Sequence, residues 1–321
     1  MMKTLGLILG GFVLLVLVAS LGAWLYYRAP DVSQDRLVAQ YGRPTSHFAD
    51  LGGGMKVHYL DEGKADAPPI VLIHGFGDNA FSWEGWVKVL GGDHRVISVD
   101  LPGHGLTQAP AGFVAAPDRL ADVIDQLAGK IGLPPFAVAG NSLGGGVAWQ
   151  LAVRHPARVA DLILVDAGGW TPPPSNKPIP LAFRIMKYKL GRDLITSIDN
   201  TPLIREGLRG EVGDPKVITE PFIARWAMLQ RAPGHRPILM TLSPGAVAAS
   251  NEVLAAIKVP TLILWGEIDP LIPLDSGKKF AAAIPGSKLI VYPGVGHLPQ
   301  VEIPERTATD VKAFLASQTP R

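Results

Sequence analysis

Ser142 lies in a stretch of sequence whose residue types and spacing are typical of nucleophilic catalysis. Residues 136–139 are apolar, residues 140–144 read Gly-Asn-Ser-Leu-Gly, and a helical pattern follows over 147–153. The pattern G-x-S-x-G predicts a sharp turn between a strand and a helix, with the serine hydroxyl exposed above a sheet. Glycine is needed two positions before and after the serine because a Cβ would clash there. The plainer interpretation is a glycine-rich turn with an incidental serine.

Asp269 and His297 could supply the acid and the base that a weakly nucleophilic serine requires. Each of them, like Ser142, comes shortly after an apolar run that predicts a strand, and the three occur in the order Ser, Asp, His. The imidazole of His297 would take the serine proton and hand it to the leaving group, while Asp269 would fix the imidazole tautomer. Asp166 and Glu267 also follow strands, so both are rival candidates for the acid.

Two backbone N–H groups are predicted to stabilise the oxyanion of a tetrahedral intermediate. They belong to Phe76, within the loop His-Gly-Phe-Gly at 74–77, and to Leu143, the residue after the serine. Loss of one such donor costs about 3 kcal/mol of transition-state stabilisation. Glycines on both sides of Phe76 would let this loop approach the reacting atoms closely.

Most of the other histidines are interpreted as structural or surface residues. His74 and His104 are predicted to brace glycine-rich turns by hydrogen bonding, and Asp100 is predicted to be structural. The remaining members of this group are His58, His94, His155 and His235.

Strand and helix patterns alternate along much of the chain. Continuous apolar runs are typical of buried parallel strands, and patterns of helical period separate them. This alternation predicts an α/β fold with a mostly parallel, doubly wound sheet and helices on both faces, formed by residues 46–168 and 251–318. Strands are predicted over 55–59 (an outer strand), 70–73, 96–99, 136–139, 162–165, 261–264 and 289–292, and helices over 81–90, 117–131, 147–153, 276–284 and 305–316.

The alternation stops between 169 and 250, where the sequence predicts an inserted helical cap. Prolines cluster at 172–180, and helical patterns follow around 181–198 and 221–231. The segment carries eleven Lys/Arg against six Asp/Glu, a net charge of +5 in a chain whose total is +2. Such a surface is usually solvated, and a membrane-facing role is the second interpretation. Apolar cap residues either line an acyl pocket or only pack the cap onto the sheet; they are Leu181, Phe183, Ile185, Met186, Phe222, Ile223, Trp226, Met228 and Leu229.

Residues 5–27 contain no charged side chain. A helix of this length spans roughly 35 Å, enough to cross the core of a bilayer, and aromatic residues cluster at its end as they do at membrane interfaces. We expect an uncleaved transmembrane anchor over 5–27, a polar linker over 28–45 and a catalytic domain outside the cytoplasm. A signal peptide cleaved after the small residues at 18–20 is the alternative.

Composition argues against several other classes of function. The chain has no cysteine, which removes thiol nucleophiles and thiolate metal sites, and its net charge of +2 gives no field that would attract nucleic acid. The glycine motifs of phosphate-binding and dinucleotide-binding loops are absent, and no group of His, Asp and Glu has metal-ligand spacing. We therefore expect no cofactor, no metal ion and no nucleic-acid partner.

Five motifs taken together resemble the α/β-hydrolase superfamily over about residues 46–318. The resemblance implies a serine hydrolase with a helical cap at the place where that family inserts one. The superfamily's haloalkane dehalogenases and epoxide hydrolases carry an aspartate nucleophile, so the serine at this position argues against both. The motifs are His74-Gly-Phe-Gly, Asp100-Leu-Pro-Gly-His-Gly, Gly140-Asn-Ser-Leu-Gly-Gly, Gly266-Glu-Ile-Asp and Gly296-His297.

Two finer resemblances bear on the substrate. With its N-terminal anchor the chain is similar to membrane-bound monoacylglycerol lipases, which implies hydrolysis of carboxylic esters with an apolar acyl chain at or near a lipid bilayer. The sequence Gly-Asn-Ser at 140–142 also resembles the carbon–carbon bond hydrolases that cleave ring-fission products. Some proteins of this fold only bind ligands, but here all three triad positions are filled. The expectation is a serine ester hydrolase, with the carbon–carbon bond hydrolase as the alternative.

Overall fold

An eight-stranded sheet forms the centre of the protein in a computed structural model, which describes residues 2–170, 184–185, 187–241 and 247–318, with only the backbone for 2–7. The order across the sheet is β1-β2-β4-β3-β5-β6-β7-β8. The first two strands run antiparallel to their neighbours, and the other six are parallel. The strands are β1 Ser46–Gly52, β2 Met55–Gly63, β3 Pro69–Ile73, β4 Arg95–Val99, β5 Phe136–Asn141, β6 Val159–Val165, β7 Thr261–Gly266 and β8 Lys288–Tyr292.

The α-helices of the core cover both faces of the sheet. One face packs against α4, α5 and α11, and the other against α3 and α13. The helices are α1 Met2–Tyr27, α2 Gln34–Tyr41, α3 Glu84–Leu90, α4 Pro117–Lys130, α5 Leu143–Arg154, α6 Lys189–Ser197, α7 Thr201–Gly210, α8 Glu220–Leu229, α9 His235–Leu239, α10 Asn251–Leu254, α11 Leu274–Ala283, α12 Pro299–Glu302 and α13 Pro304–Ala316.

Burial on both faces explains why the central strands were visible in the sequence. β3 and β7 are buried at every residue, and both are continuous apolar runs. The predicted α/β fold with a mostly parallel sheet is confirmed, and each predicted core strand and helix is present with slightly different bounds.

Two elements near the N-terminus were missed. β1 pairs with β2, so the strand that begins at Met55 is second in the sheet and the prediction that it is an outer strand was wrong. Only Ala49 of β1 is fully buried, which leaves little apolar alternation to detect. The predicted linker contains α2, whose only buried residue is Leu37, too weak a signal for a helix.

The N-terminal helix α1 is long and apolar enough over Ile8–Tyr27 to cross a membrane, and its side chains there are exposed. By length and composition such a helix is either a membrane anchor or a signal sequence.

The described part of the predicted cap consists of helices α6 to α9 and contributes no strand to the sheet. The predicted helix over 181–198 is represented by α6, and its residues 181–183 and 186 lie outside the described residues. The helix predicted over 221–231 is α8. α7 was not predicted; Leu208 is its only buried residue, so its apolar pattern is weak.

Candidate active site

Ser142 stands on a tight turn between β5 and α5. Its backbone has φ 53° and ψ −116°, a conformation that residues other than glycine rarely adopt. Its N–H donates a 3.0 Å hydrogen bond to the oxygen of Val165 at the end of β6. A Cβ on Gly140 would overlap the oxygen of Gly144, and a Cβ on Gly144 would overlap that of Ile73. The strained turn therefore depends on the two glycines that the motif contains.

The structure brings together His297 and Asp269, which were predicted as the base and the acid. Nδ1 of His297 donates to Oδ2 of Asp269 at 2.7 Å. The other carboxylate oxygen, Oδ1, accepts the N–H groups of Leu271 at 2.7 Å and Ile272 at 2.9 Å. Both members of the pair are buried. Because Nδ1 carries the proton in this bond, Nε2 of a neutral His297 is the nitrogen that can accept one.

The ionisation of His297 is set by two opposing effects. Burial acts to lower the pKa of the imidazole, because it disfavours the charged form. The charge of Asp269 and its hydrogen bond act in the other direction and outweigh burial, so the pKa of His297 lies above its ordinary value. A base of this kind is neutral only on the alkaline side of its raised pKa.

Three hydrogen bonds hold the backbone around His297. Its N–H donates to the oxygen of Glu211, in the cap, at 2.7 Å. Its oxygen accepts a 3.1 Å hydrogen bond from Nδ2 of Asn141, the residue before the serine. The N–H of Gly296 donates to Oε1 of Glu302 at 2.9 Å, and the other carboxylate oxygen of Glu302 accepts a backbone N–H of the cap at 2.7 Å. The histidine loop is therefore joined to both the cap and the serine turn.

The rival acid Asp166 lies close to the same pair. Its Oδ1 accepts the N–H of Gly266 at 2.9 Å. Asp166, Asp269 and His297 form a cluster in which one carboxylate oxygen or ring nitrogen of each residue lies within 4.8 Å of the others. The spacing of these residues along the sequence did not reveal this cluster. Burial, and next the charge of Asp269, raise the pKa of Asp166 well above its ordinary value. Nδ1 of His297 donates its hydrogen bond to Asp269 and not to Asp166, and the other rival, Glu267, is exposed.

The two predicted oxyanion donors lie next to Ser142, one in sequence and one in space. Leu143 is the first residue of α5, where an N–H has no partner within the helix. Phe76 follows Gly75, and a Cβ on Gly75 would lie 3.1 Å from Oδ1 of Asn141 and 3.3 Å from Cβ of Ser142. The loop therefore runs so close to the serine turn that a side chain at position 75 would crowd it.

Comparison with known proteins agrees with this geometry. The family model described as the alpha/beta hydrolase family matches residues 70–311. The chain belongs to the alpha/beta hydrolase family. It is 30% identical to a 2-hydroxy-6-oxononadienedioate/2-hydroxy-6-oxononatrienedioate hydrolase of Burkholderia vietnamiensis, over 84% of this chain and 96% of that protein.

Two further relatives extend the comparison. This alpha/beta hydrolase is 27% identical to Lipase 1 of Psychrobacter immobilis, over 88% of this chain and 89% of that protein. It also resembles the crystal structure of a membrane phospholipase A, a bacterial virulence factor, with a TM-score of 0.72 and 24% identity over 96% of this chain and 97% of the other. The structural likeness shows a shared fold.

Two other buried histidines of this alpha/beta hydrolase brace loops, as the sequence predicted. Nδ1 of His74 donates to the oxygen of Gly75 at 2.8 Å, and Nε2 accepts the N–H of Leu101 at 3.0 Å. Nδ1 of His104 donates to the oxygen of Pro102 at 3.1 Å. These contacts link the loop at 74–77 to the loop after β4.

Asp100 is structural, as predicted. Its carboxylate accepts the ring Nδ1–H of His58 at 2.6 Å and the N–H groups of Ala80 at 2.7 Å and Leu106 at 2.8 Å. These contacts join strand β2 to the segments that begin at Ala80 and Leu106.

Sequence reasoning missed the positioning contacts of Asn141 and Glu211. Asn141 stands inside the serine motif, so its place beside the site was visible although its bond to the histidine loop was not. Glu211 follows α7 in a segment whose placement could not be deduced from sequence. Burial raises the pKa of Glu211 to about 7, with the charges of His297 and Asp269 acting in opposite directions on it.

Proposed function

We propose that this alpha/beta hydrolase cleaves carboxylic esters with an apolar acyl chain, with Ser142 as the nucleophile. The observation that carries the proposal is the 2.7 Å hydrogen bond between His297 Nδ1 and Asp269 Oδ2, at the same sheet edge as the strained turn at Ser142. A neutral histidine held in this way has Nε2 available as a proton acceptor, which a serine hydroxyl needs to become a nucleophile.

In the proposed acylation step, the oxygen of Ser142 attacks the ester carbonyl while Nε2 of His297 takes the hydroxyl proton. The carbonyl oxygen gains negative charge, which the N–H groups of Phe76 and Leu143 would stabilise. His297 then gives its proton to the leaving alcohol, and an acyl-enzyme remains on the serine. Water attacks this acyl-enzyme with His297 as base and releases the carboxylic acid.

Aromatic residues of the cap next to the site support an apolar acyl group. Nε1 of Trp226, in α8, lies 3.3 Å from the position of a Cβ on Gly77, which follows the predicted oxyanion donor. The ring of Phe222 packs on that of Trp226 with centroids 5.7 Å apart, and Phe222 is half-buried. An acyl chain beside the loop at 74–77 would contact the exposed part of Phe222, because Trp226 is itself buried in the packing cluster of the cap.

Other cap residues that were expected to line an acyl pocket have different surroundings. Ile223 is buried in the packing cluster of the cap, and Leu229 in a cluster with residues of the N-terminal segment and the core. Met228 packs against the second of these clusters. For these three the packing alternative is supported. Leu181, Phe183 and Met186 lie outside the described residues.

A carbon–carbon bond hydrolase is the second candidate, favoured by the Burkholderia vietnamiensis relative, a hydrolase of dienedioates. That chemistry would place the same demands on the serine and the histidine. Its dianionic substrate would need cationic partners for both carboxylates, whereas the ring pair described above is uncharged. The substrate therefore distinguishes the two functions.

The proposal is tested with a fluorophosphonate label and a substrate series on the full-length protein. Labelling is expected in the wild type and lost in Ser142→Ala, while Ser317→Ala, an exposed serine after α13, keeps it. For p-nitrophenyl esters, kcat/KM should rise from acetate toward medium chains, since each buried methylene contributes about 0.8 kcal/mol. Ser142→Ala should lower kcat by several orders of magnitude and leave only the residual rate of a broken triad.

Other outcomes would redirect the assignment. Efficient cleavage of a ring-fission dienone with negligible esterase activity would favour the carbon–carbon bond hydrolase. A folded protein that the label does not modify would favour a ligand-binding role, because only an activated serine reacts.

We further infer that α1 is an uncleaved anchor that holds the catalytic domain at a membrane, outside the cytoplasm. Its last turn is hydrogen-bonded to the cap: the N–H of Asp199 donates to the oxygen of Tyr27 at 2.8 Å. The full chain should resist carbonate extraction from membranes. Recovery of a mature protein that begins near Leu21 would show a cleaved signal peptide instead.

A further inference from the structure

The cap helix α6 carries an exposed apolar face. Leu190 is 80% exposed and Leu194, one turn later, is 48% exposed, while Tyr188, just before the helix, is 67% exposed. Residues four apart lie on the same side of a helix. Ile195 is only 6% exposed and lies on the side that packs against the protein. Leu190 and Leu194 therefore offer an apolar surface to solvent, and Tyr188 adds a third exposed large side chain just before them.

The same face of α6 contacts the N-terminal helix. Ser197 stands seven residues after Leu190 and shares its face. The hydroxyl of Ser197 accepts a 3.3 Å hydrogen bond from Nε1 of Trp24, in the last turn of α1. Just beyond, the N–H of Asp199 donates to the oxygen of Tyr27. If α1 crosses a bilayer, Trp24 and Tyr27 lie at its interface, and the end of α6 must lie there too.

The short length of α6 and its basic charge indicate that the whole helix can lie at the same interface as Ser197. A helix rises 1.5 Å per residue, so Leu190 lies only about 10 Å along the axis from Ser197. Residues 184–197 contain four Lys/Arg and one Asp, and Lys187 and Lys189, on either side of Tyr188, are exposed. Apolar side chains flanked by basic ones are typical of helices that lie in the headgroup layer of anionic membranes.

We propose that the cap docking face, formed by Tyr188, Leu190, Leu194 and Ser197, lies in the headgroup layer of the bilayer that holds α1 and binds anionic lipid there. The proposal rests on the proposed anchoring by α1. It gives the cap a second point of attachment beside the anchor. The cap, which also holds the His297 loop through Glu211, would then sit on the lipid surface, and a lipid ester could reach the cap without crossing water.

The absence of cysteine from the chain allows a direct test. Full-length Leu190→Cys and Leu194→Cys proteins, each labelled with nitrobenzoxadiazole, are placed in phosphatidylcholine vesicles with about one third phosphatidylglycerol. We expect emission at shorter wavelength and quenching by lipids that carry a nitroxide in the upper acyl chain. Labelled Ala157→Cys is the control, because this exposed residue lies just before β6, at the amino-terminal ends of the parallel strands, and should show neither effect.

Two readings on the same vesicles separate the proposals. Flotation reports anchoring, and turnover of a soluble p-nitrophenyl ester reports the hydrolase site. A protein that floats and turns over ester, with the label at Leu194 still in water, would overturn the docking face alone. If the label is shielded from water in detergent as much as in vesicles, and the protein has the mass of a dimer, the face binds a second copy of the chain. That result would overturn lipid docking. A protein that does not float would contradict the anchor and the docking face together.

A variant that introduces negative charge on this face gives an independent reading. Leu190→Glu combined with Leu194→Glu changes only exposed side chains, so the fold should persist. We expect kcat/KM for a vesicle-borne ester to fall about ten-fold, with turnover of the soluble ester unchanged. Ala157→Glu, the matched control, should alter neither rate. Equal loss on both substrates would contradict the proposal.

Discussion

The side-chain amide of Asn141 donates a hydrogen bond to the main-chain oxygen of His297, with a distance of 3.1 Å from Nδ2 to the oxygen. The same nitrogen lies 3.2 Å from the oxygen of Val165, at the end of β6. One buried carboxamide therefore joins the turn at Ser142 to the loop that carries the proposed base. The position of the proposed base relative to the nucleophile thus depends on Asn141, which is hydrogen-bonded both to the His297 loop and to the end of β6.

Replacement of Asn141 should therefore reduce turnover more than substrate binding. In Asn141→Ala two buried carbonyls lose a donor, at a cost of about 1–3 kcal/mol, and the His297 loop is held less well. We expect kcat for a short soluble ester to fall about 10- to 100-fold with a small change in KM. Asn251→Ala, an exposed asparagine in α10, is the control and should match the wild type in both parameters.

A second variant at this position tests the hydrogen bond itself. An ionised carboxylate in Asn141→Asp would face two carbonyl oxygens, whereas a protonated one can donate its single O–H to one of them. The melting temperature of this variant, relative to the wild type, should therefore fall as pH rises. A constant difference across pH would argue against a donor role.

The serine turn and the sheet could be predicted because their requirements are local. Glycines around Ser142 follow from the clash of a Cβ with the turn, and the buried strands are continuous apolar runs. The order of the motifs along the chain then placed His297 at a strand end near the same edge. Each of these inferences needed only a few consecutive residues.

Contacts between distant segments could not be predicted in the same way. Glu211 reaches the His297 loop through a backbone hydrogen bond, which leaves no trace in residue type. The raised pKa of Asp166 depends on burial beside Asp269, which only the folded chain brings about. Sequence patterns could therefore predict the serine turn and the strand ends that carry the proposed reactive groups, but not the contacts that hold those groups in place.

Gly144 and Gly146 provide a matched pair for testing the close approach at the turn. A Cβ on Gly144 would overlap the oxygen of Ile73, which belongs to a buried strand and cannot move freely. A Cβ on Gly146 would lie 3.5 Å from the oxygen of Gly168, an ordinary contact. Gly144→Ala should unfold at markedly lower temperature or fail to fold, whereas Gly146→Ala should gain up to about 1 kcal/mol from helix propensity. Equal melting temperatures would contradict the clash.

The acid limb of the pH profile should report the raised pKa of His297. The proposed base works only when neutral, so kcat/KM rises as pH rises through its pKa in the free enzyme. Burial alone would lower that pKa, but the charge and hydrogen bond of Asp269 raise it above the ordinary value of 6.5. We expect the midpoint of the limb above pH 6.5 for a soluble ester. A midpoint below that value would show that burial outweighs the carboxylate.

Substitution of Asp269 should remove most of the activity through the imidazole tautomer. In Asp269→Asn the amide oxygen can keep the hydrogen bonds from Leu271 and Ile272, which turns its NH₂ group toward Nδ1 of His297. Nδ1 then accepts, Nε2 carries the proton, and the ring cannot take a proton from serine. We expect kcat to fall on the order of 10⁴-fold. A loss below about ten-fold would place the acid elsewhere.

Asp166→Asn, the matched change on the neighbouring carboxyl, should have a much smaller effect on kcat. Burial and the charge of Asp269 raise the pKa of Asp166 well above its ordinary value, which favours the protonated carboxyl, and asparagine is the neutral isostere that can still accept the N–H of Gly266 and tolerate φ 43°. The sign of the stability effect follows from linkage. Above pH 3.8 the unfolded chain loses the Asp166 proton while the folded protein retains it, so this group makes wild-type stability fall as pH rises toward the folded pKa. Thermal unfolding should therefore show Asp166→Asn gaining stability relative to the wild type as pH rises above 3.8 toward the raised pKa of the folded protein. A variant that loses stability over this range, or loses as much activity as Asp269→Asn, would show that Asp166 is ionised and is the acid of the site.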